Sequence, residues 1–187
     1  VMPAHATVEP APVSLALPKF VVGQRAIDEY LGEDMEGTLI QSIKTFLGSE
    51  SFDDTFVVDR KYRLEDLVAV LFRVVRDAIA RHAPPEDVVL VVGRPAVYVE
   101  RPAREALARG RVRRAAALAG LPRIAFQYEP IAAGLAYEAS LARRETALIV
   151  DLGGGTSDFT VMRLGTGHRG DRREDILATG GVQIGGD

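Results

Sequence analysis

Cysteine is absent from the 187 residues. Disulfides, iron–sulfur clusters, thiolate zinc sites and cysteine nucleophiles are therefore excluded. Histidine occurs only as His5, His82 and His168, with no pair at the helical spacing of a metal site. Lysine is scarce: Lys19, Lys44 and Lys61 stand among 23 basic residues. No apolar run approaches the ~18–20 residues that a bilayer-crossing helix needs. The start, Val1-Met2-Pro3-Ala4-His5, has neither a basic n-region nor an apolar h-region. A soluble, cytoplasmic protein is expected, and Val1 ahead of Met2 points to something missing or engineered upstream. What is present is ordinary: 47% hydrophobic, 26% charged and a formal charge of −3. These values exclude a long disordered tail, and the length suits one domain or two small lobes.

Residues 1–18 carry Pro3, Pro10, Pro12 and Pro18 and read as an irregular lead-in. A short strand and turn is expected over 19–23, a short helix over 26–31 and a helical stretch over 37–47, with an edge strand at 56–58. The clearest helix runs over 64–82: Leu64, Leu67, Val68, Leu71, Val74, Val75 and Ala78 share one face, and Pro84-Pro85 closes it. The consecutive apolar residues 88–92 predict a strand buried on both faces, which favours a layered α/β fold. A helix over 103–119 ends at Gly120. A strand over 123–127, a helix opened by Pro130, strands over 147–151 and 158–164, a turn and a last strand over 176–179 follow. No internal repeat is present.

The most informative segment is Ala147-Leu-Ile-Val-Asp151-Leu-Gly153-Gly154-Gly155-Thr156-Ser-Asp158. A buried strand delivers an acid to its end, and three glycines turn the chain into a second strand. Without Cβ atoms, backbone N–H groups can crowd around one point, and such a concave array binds phosphate oxygens. Asp151 beside it suits Mg²⁺ held through waters, and Thr156 offers a hydroxyl to a terminal phosphate. The bland alternative is a tight hairpin turn with a capping Asp. The full pattern Asp-x-Gly-Gly-Gly-Thr-x-Asp between strands favours phosphate. Asp158 reads as a brace for the turn.

This segment resembles the second phosphate-binding hairpin of the DnaK-type, seventy-kilodalton heat-shock chaperones of the actin-like ATPase superfamily. Val21-Val-Gly-Gln24, Ser42-Ile-Lys44-Thr-Phe-Leu-Gly48, Gly93-Arg-Pro95-Ala, Tyr128-Glu129-Pro130-Ile-Ala-Ala-Gly and Thr179-Gly-Gly-Val-Gln-Ile-Gly-Gly-Asp187 resemble other family segments in the right order. The Gly-Arg-Pro and Gln-Tyr-Glu-Pro wording is closer to the divergent YegD-like branch. The resemblance covers about residues 20–187 and implies an α/β fragment of an actin-like, ribonuclease H-like nucleotide-binding domain. It implies a peripheral lobe over 1–86, the remainder of the first core lobe over 87–145 and the start of the second over 146–187. The family's first phosphate loop, an Asp-x-Gly-Thr-Thr hairpin, has no counterpart in residues 1–19. The chain is expected to be the middle of such a domain, inactive alone and an ATPase in its full-length parent.

By resemblance, Lys44 is the catalytic lysine that contacts the γ-phosphate and the attacking water. A compact, mobile cation suits that task, although a lysine among apolar helical positions is commonly a surface residue. Glu129 acts through a Mg²⁺-bound water; its bland reading is an acid favoured by a helix N-terminus. Asp151 and Thr156 join the catalytic set, Gly153, Gly154, Gly155 and Thr156 bind nucleotide, and ATP or ADP with Mg²⁺ are the cofactors. Pro95 resembles the proline that relays nucleotide state to a substrate domain. The relay arginine is Arg104, or Arg109 when the helix is aligned from its end.

Gly165-Thr-Gly167-His-Arg-Gly170 fits the dinucleotide pattern literally, but no amphipathic helix follows it. The basic helix with Arg101, Arg104, Arg109, Arg111, Arg113, Arg114 and Arg123 is expected to be a solvated face, because the chain is acidic overall and lacks interleaved aromatics. The resemblance implies an ATP-hydrolysing domain of a stress-response chaperone, with nucleotide, unfolded clients and co-chaperones as partners, and neither nucleic acid nor membrane. A nucleotide-sensing scaffold that hydrolyses little, and an actin-like filament protein, are the competing readings.

Overall fold

The structure is a computed structural model, and it describes residues 20–32, 37–94, 102–153, 157–165, 172–182 and 184. The expectations for residues 1–18 and for Pro95, Gly154, Gly155 and Thr156 lie outside the described residues. The chain divides into two units, Val1–Leu90 with Leu107–Ile124, and Val91–Ala106 with Ala125–Asp187.

In the first unit, Gly23 turns the chain with a φ of 72° into helix α1, Gln24–Gly32. The described residues before it contain no strand, contrary to expectation. The helix expected over 37–47 is also absent: only Ile43–Phe46 form a 3₁₀ turn. Ser42 precedes that turn in the left-handed conformation, φ 51° and ψ 31°, which no α-helix continues through. The apolar spacing of 37–47 instead serves an irregular segment, with Ile43 packed against a core of Val57, Tyr62 and Leu67.

Strands β1, Asp54–Val57, and β2, Arg60–Arg63, form an antiparallel hairpin. Helix α2, Leu64–Ile79, starts where expected. The Arg63 backbone N–H donates to Asp66 Oδ2 at 3.0 Å, one half of a capping box. Glu65 and Asp66 occupy its first turn, where the helix dipole favours acids.

Strand β3, Leu90–Arg94, departs from the expectation of burial on both faces. Its exposure alternates, and Val91 is 63% exposed. Helix α3, Pro102–Leu118, buries Ala108, Val112, Ala115, Ala116 and Ala119 at helical spacing. A Schellman cap closes it: the Gly120 N–H donates to the Ala117 carbonyl at 2.9 Å and the Leu121 N–H to the Ala116 carbonyl at 2.8 Å, with Gly120 at φ 81°. The positive φ is why glycine stands there.

In the second unit, β4, Ile124–Tyr128, pairs with β3. Helix α4, Glu129–Glu138, begins with proline in its first turn, as the fixed φ of proline suits. Strands β5, Glu145–Leu152, β6, Ser157–Leu164, and β7, Ile176–Val182, make an antiparallel sheet in the order β5-β6-β7. Its inward face carries Met162 and Leu164, which pack with Ile131 of α4, Ala147 and Ile149. Every second residue of β5 is therefore turned inward, and that parity decides which way Asp151 faces.

Candidate functional site

Leu152 at the end of β5 is the partner of Ser157 at the start of β6. The next pair inward is Asp151 with Asp158. Directly opposed residues in an antiparallel ladder share a face, so Asp151 and Asp158 both lie on the inward side near the ends of β5 and β6. Asp158 is 1% exposed and Asp151 is half-buried.

Space for the Asp158 carboxylate is made on β7. Its partner there is Gly181, where an added Cβ would stand 2.7 Å from Asp158 Oδ1. Thr160, two residues along the same face, is fully buried.

Glu129 is the first residue of α4, where exposed N–H groups favour a carboxylate. Its side chain lies over Gly93 of β3: a Cβ there would fall 3.1 Å from Glu129 Cγ. Beside it, the Arg94 guanidinium stacks on the Tyr128 ring, 3.9 Å from its centroid, and pairs with Glu105 of α3. Arg94 is thereby committed within the wall beneath Glu129.

The second unit thus holds Glu129, Asp151, Gly153 and Arg104, whereas Lys44 and Arg109 belong to the first. Lys44 is exposed and rides on the 3₁₀ turn, whose start is fixed by Thr45 Oγ1 donating to the Ser42 carbonyl at 2.8 Å. The basic helix is only in part the solvated face expected of it: Arg113, Arg114 and Arg123 are exposed, others are not. Arg111 is 1% exposed, and Arg104 and Arg109 are half-buried. Arg111 is buried because it falls in register with the alanine stripe of α3, between Ala108 and Ala115.

Gly93, Gly181 and Arg111 are absent from the sequence-derived site. An arginine at i+3 on a stripe of buried alanines was the legible signal for Arg111. The two glycines carry none, since what they accommodate is distant in sequence. A groove of about 500 Å³ in the first unit, lined by Phe20, Val22, Tyr30, Leu39, Ile40 and Leu71 among others, holds none of the candidate site residues.

A family model described as "Hsp70 protein" matches residues 8–187. The chain belongs to the Hsp70 family. It therefore has the actin-like ATPase fold of Hsp70, in keeping with its mixed helices and sheets. Similar Hsp70-family proteins include the "Chaperone protein dnaK1" of Prochlorococcus marinus (strain MIT 9313), 38% identical over 133 residues, which is 70% of this chain and 18% of the relative. The "Chaperone protein DnaK" of Deinococcus radiodurans is 41% identical over 99 residues, 52% of this chain and 14% of the relative. The "Chaperone protein HscA homolog" of Bordetella petrii is 28% identical over 192 residues, 90% of this chain and 28% of the relative. The chain spans less than a fifth of the length of the first two. Among the described residues, no helix is long and apolar enough to cross a membrane.

Proposed function

We propose that this chain forms part of the Mg·ATP-binding and ATP-hydrolysing domain of a cytoplasmic, DnaK-like, stress-response chaperone, closest to the YegD-like branch. The observation that carries the reading is the opposition of Asp151 and Asp158 near the ends of β5 and β6. Among the described residues no group of three or more His, Cys, Asp or Glu gathers for a metal. Asp151, with Asp158 opposite it on the facing strand, fits an ion that keeps most of its waters, the habit of Mg²⁺.

Asp151 and Glu129 would hold Mg²⁺ through its waters, and the ion would supply charge neutralisation on the phosphates. The backbone N–H groups of Gly153, Gly154 and Gly155 cradle phosphate oxygens, and the Thr156 hydroxyl donates to the terminal phosphate. The Lys44 ammonium would contact the γ-phosphate and the attacking water. That water would attack the γ-phosphorus in line as the bond to the β-phosphate oxygen breaks, releasing ADP, inorganic phosphate and a proton. Little covalent help is required, so the residues act by position and charge. Residues 1–86 are read as the peripheral lobe, 87–145 as the rest of the first core lobe and 146–187 as the start of the second. Pro95, with Arg104 or Arg109, relays nucleotide state toward a domain that binds unfolded clients.

The test is thermal melting of the complete natural gene product with and without Mg·ATP. A ligand at ~100 times its dissociation constant adds ~2.7 kcal/mol, a clear rise in Tm. Gly154→Val is expected to abolish that rise with the apo Tm little changed, because the valine side chain fills space that the proposed phosphate needs. Asp151→Asn is expected to make the rise insensitive to magnesium. A damaged apo protein with an unaltered nucleotide effect would leave the turn a mere hairpin. Binding without turnover would favour the nucleotide-sensing scaffold.

A further inference from the structure

The 3₁₀ turn that carries Lys44 is four residues long, too short to hold itself. On one side Ile43 anchors it in the core. Its other end is held by one side chain from α3. Arg111 Nη1 donates to the carbonyls of Phe46 at 3.2 Å, Leu47 at 2.9 Å and Ser49 at 2.9 Å, and Nη2 pairs with Asp53.

A buried guanidinium is costly unless it is fully engaged. Arg111 is 1% exposed, while the Asp53 side chain is 73% exposed and solvated. The carbonyls at the end of the turn therefore do much of the compensating, and they are where a helical turn favours a cation. The Lys44 carbonyl accepts from the Leu47 N–H at 3.3 Å, which links the clamped residues directly back to the lysine's own backbone.

We propose that Arg111 is a positioning residue for Lys44: it fixes the backbone from which that exposed side chain extends. The planar fork matters, since several carbonyls and a carboxylate are gripped at once, which a lysine's point charge cannot reproduce. The proposal rests on the catalytic reading of Lys44.

The experiment is single-turnover hydrolysis and Mg·ATP affinity in the complete natural gene product carrying Arg111→Lys, Lys44→Ala or both. Arg111→Lys is expected to lower the rate about 10- to 30-fold, as a loosened catalytic group does, with affinity held within about threefold. In the Lys44→Ala background it is expected to change the rate less than about twofold, because coupled residues are non-additive. Proportional losses in both backgrounds, or no loss in either, would overturn the proposal while leaving Lys44 catalytic. A Lys44→Ala rate within a few-fold of wild type would instead overturn the reading of Lys44 on which it rests. Should Arg111→Lys fail to fold, Asp53→Asn releases one arm of the clamp from an exposed position. It is expected to slow turnover severalfold and to speed amide exchange at Leu47 and Ser49; unchanged rates and exchange would overturn the proposal.

Discussion

Gly93 and Glu129 are far apart in sequence, yet the first determines where the second stands. A methyl group on Gly93 would press within 3.1 Å of Glu129 Cγ, tighter than ordinary van der Waals contact. Gly93→Ala is expected to displace the carboxylate by a few tenths of an ångström with the fold intact. In the complete natural gene product, we expect turnover to fall about tenfold, since misplacements of catalytic groups cost this order. Steady-state kinetics check it, and full activity in Gly93→Ala would show that Glu129 needs no such placement. The acids were candidates from the sequence, because Glu-Pro and Asp-x-Gly-Gly-Gly lie in consecutive residues. Gly93 was not, since its role is the shape it leaves for a side chain 36 positions away. Arg111 was misread because charge suggested solvent while its helical register placed it with buried alanines.

Length and composition made α3 and α4 readable, and a strong apolar period did so for α2; elements too short to show either were not. Helices α2, α3 and α4 and the hairpin β5-β6 lie close to expectation. Strand β2 was missed, since Arg60-Lys61-Tyr62-Arg63 offers one buried residue, Tyr62, too few to show alternation. Helix α4 meets the sheet through Gly134, where a Cβ would fall 2.4 Å from Met162 Sδ and 3.5 Å from Ile149 Cγ1. Gly134→Ala gains about 1 kcal/mol of helix propensity but overpacks a site whose methionine is 1% exposed. We expect a net loss of about 1–2 kcal/mol by urea unfolding. Met162→Ala should make room, so that Gly134→Ala becomes neutral or stabilising in that background; equal effects in both would place the clash elsewhere.

The end of α4 is also tied to the start of β5. The Tyr137 hydroxyl donates to the Glu145 carboxylate, and this bond, then the carboxylate's charge, raise its pKa above the usual 10.0. The folded state thus holds that proton more tightly than the unfolded chain. Its contribution to stability is present below the unfolded pKa and lost as pH rises through the higher folded value. Ultraviolet titration of the wild type minus Tyr137→Phe should show phenolate forming later than in a free tyrosine, and Glu145→Gln should restore the ordinary midpoint. An ordinary midpoint in the wild type would mean that this tie is not made in solution.

On the scale of the whole molecule, the candidate residues are divided: the acids and the glycine turn belong to one unit and Lys44 to the other. The sequence order of the motifs revealed their kinship, but no local pattern reports how separate units are joined, since that depends on contacts remote along the chain. Hydrolysis requires the charge that develops on the γ-phosphate to be compensated from several sides at once. The 187 residues contain one Asp-x-Gly-Gly-Gly-Thr turn and no Asp-x-Gly-Thr-Thr counterpart in residues 1–19. We therefore expect the 187-residue chain, expressed by itself, to show no measurable ATPase activity and no micromolar affinity for Mg·ATP by calorimetry. The complete natural gene product should show both. The contrast separates two sources of the chemistry. If the isolated chain bound Mg·ATP at micromolar concentration, its glycine turn and acids would be sufficient anchors alone. If it also turned over, Lys44 and Glu129 would need no opposing phosphate loop, and the two-sided enclosure of the γ-phosphate would not be what limits the rate.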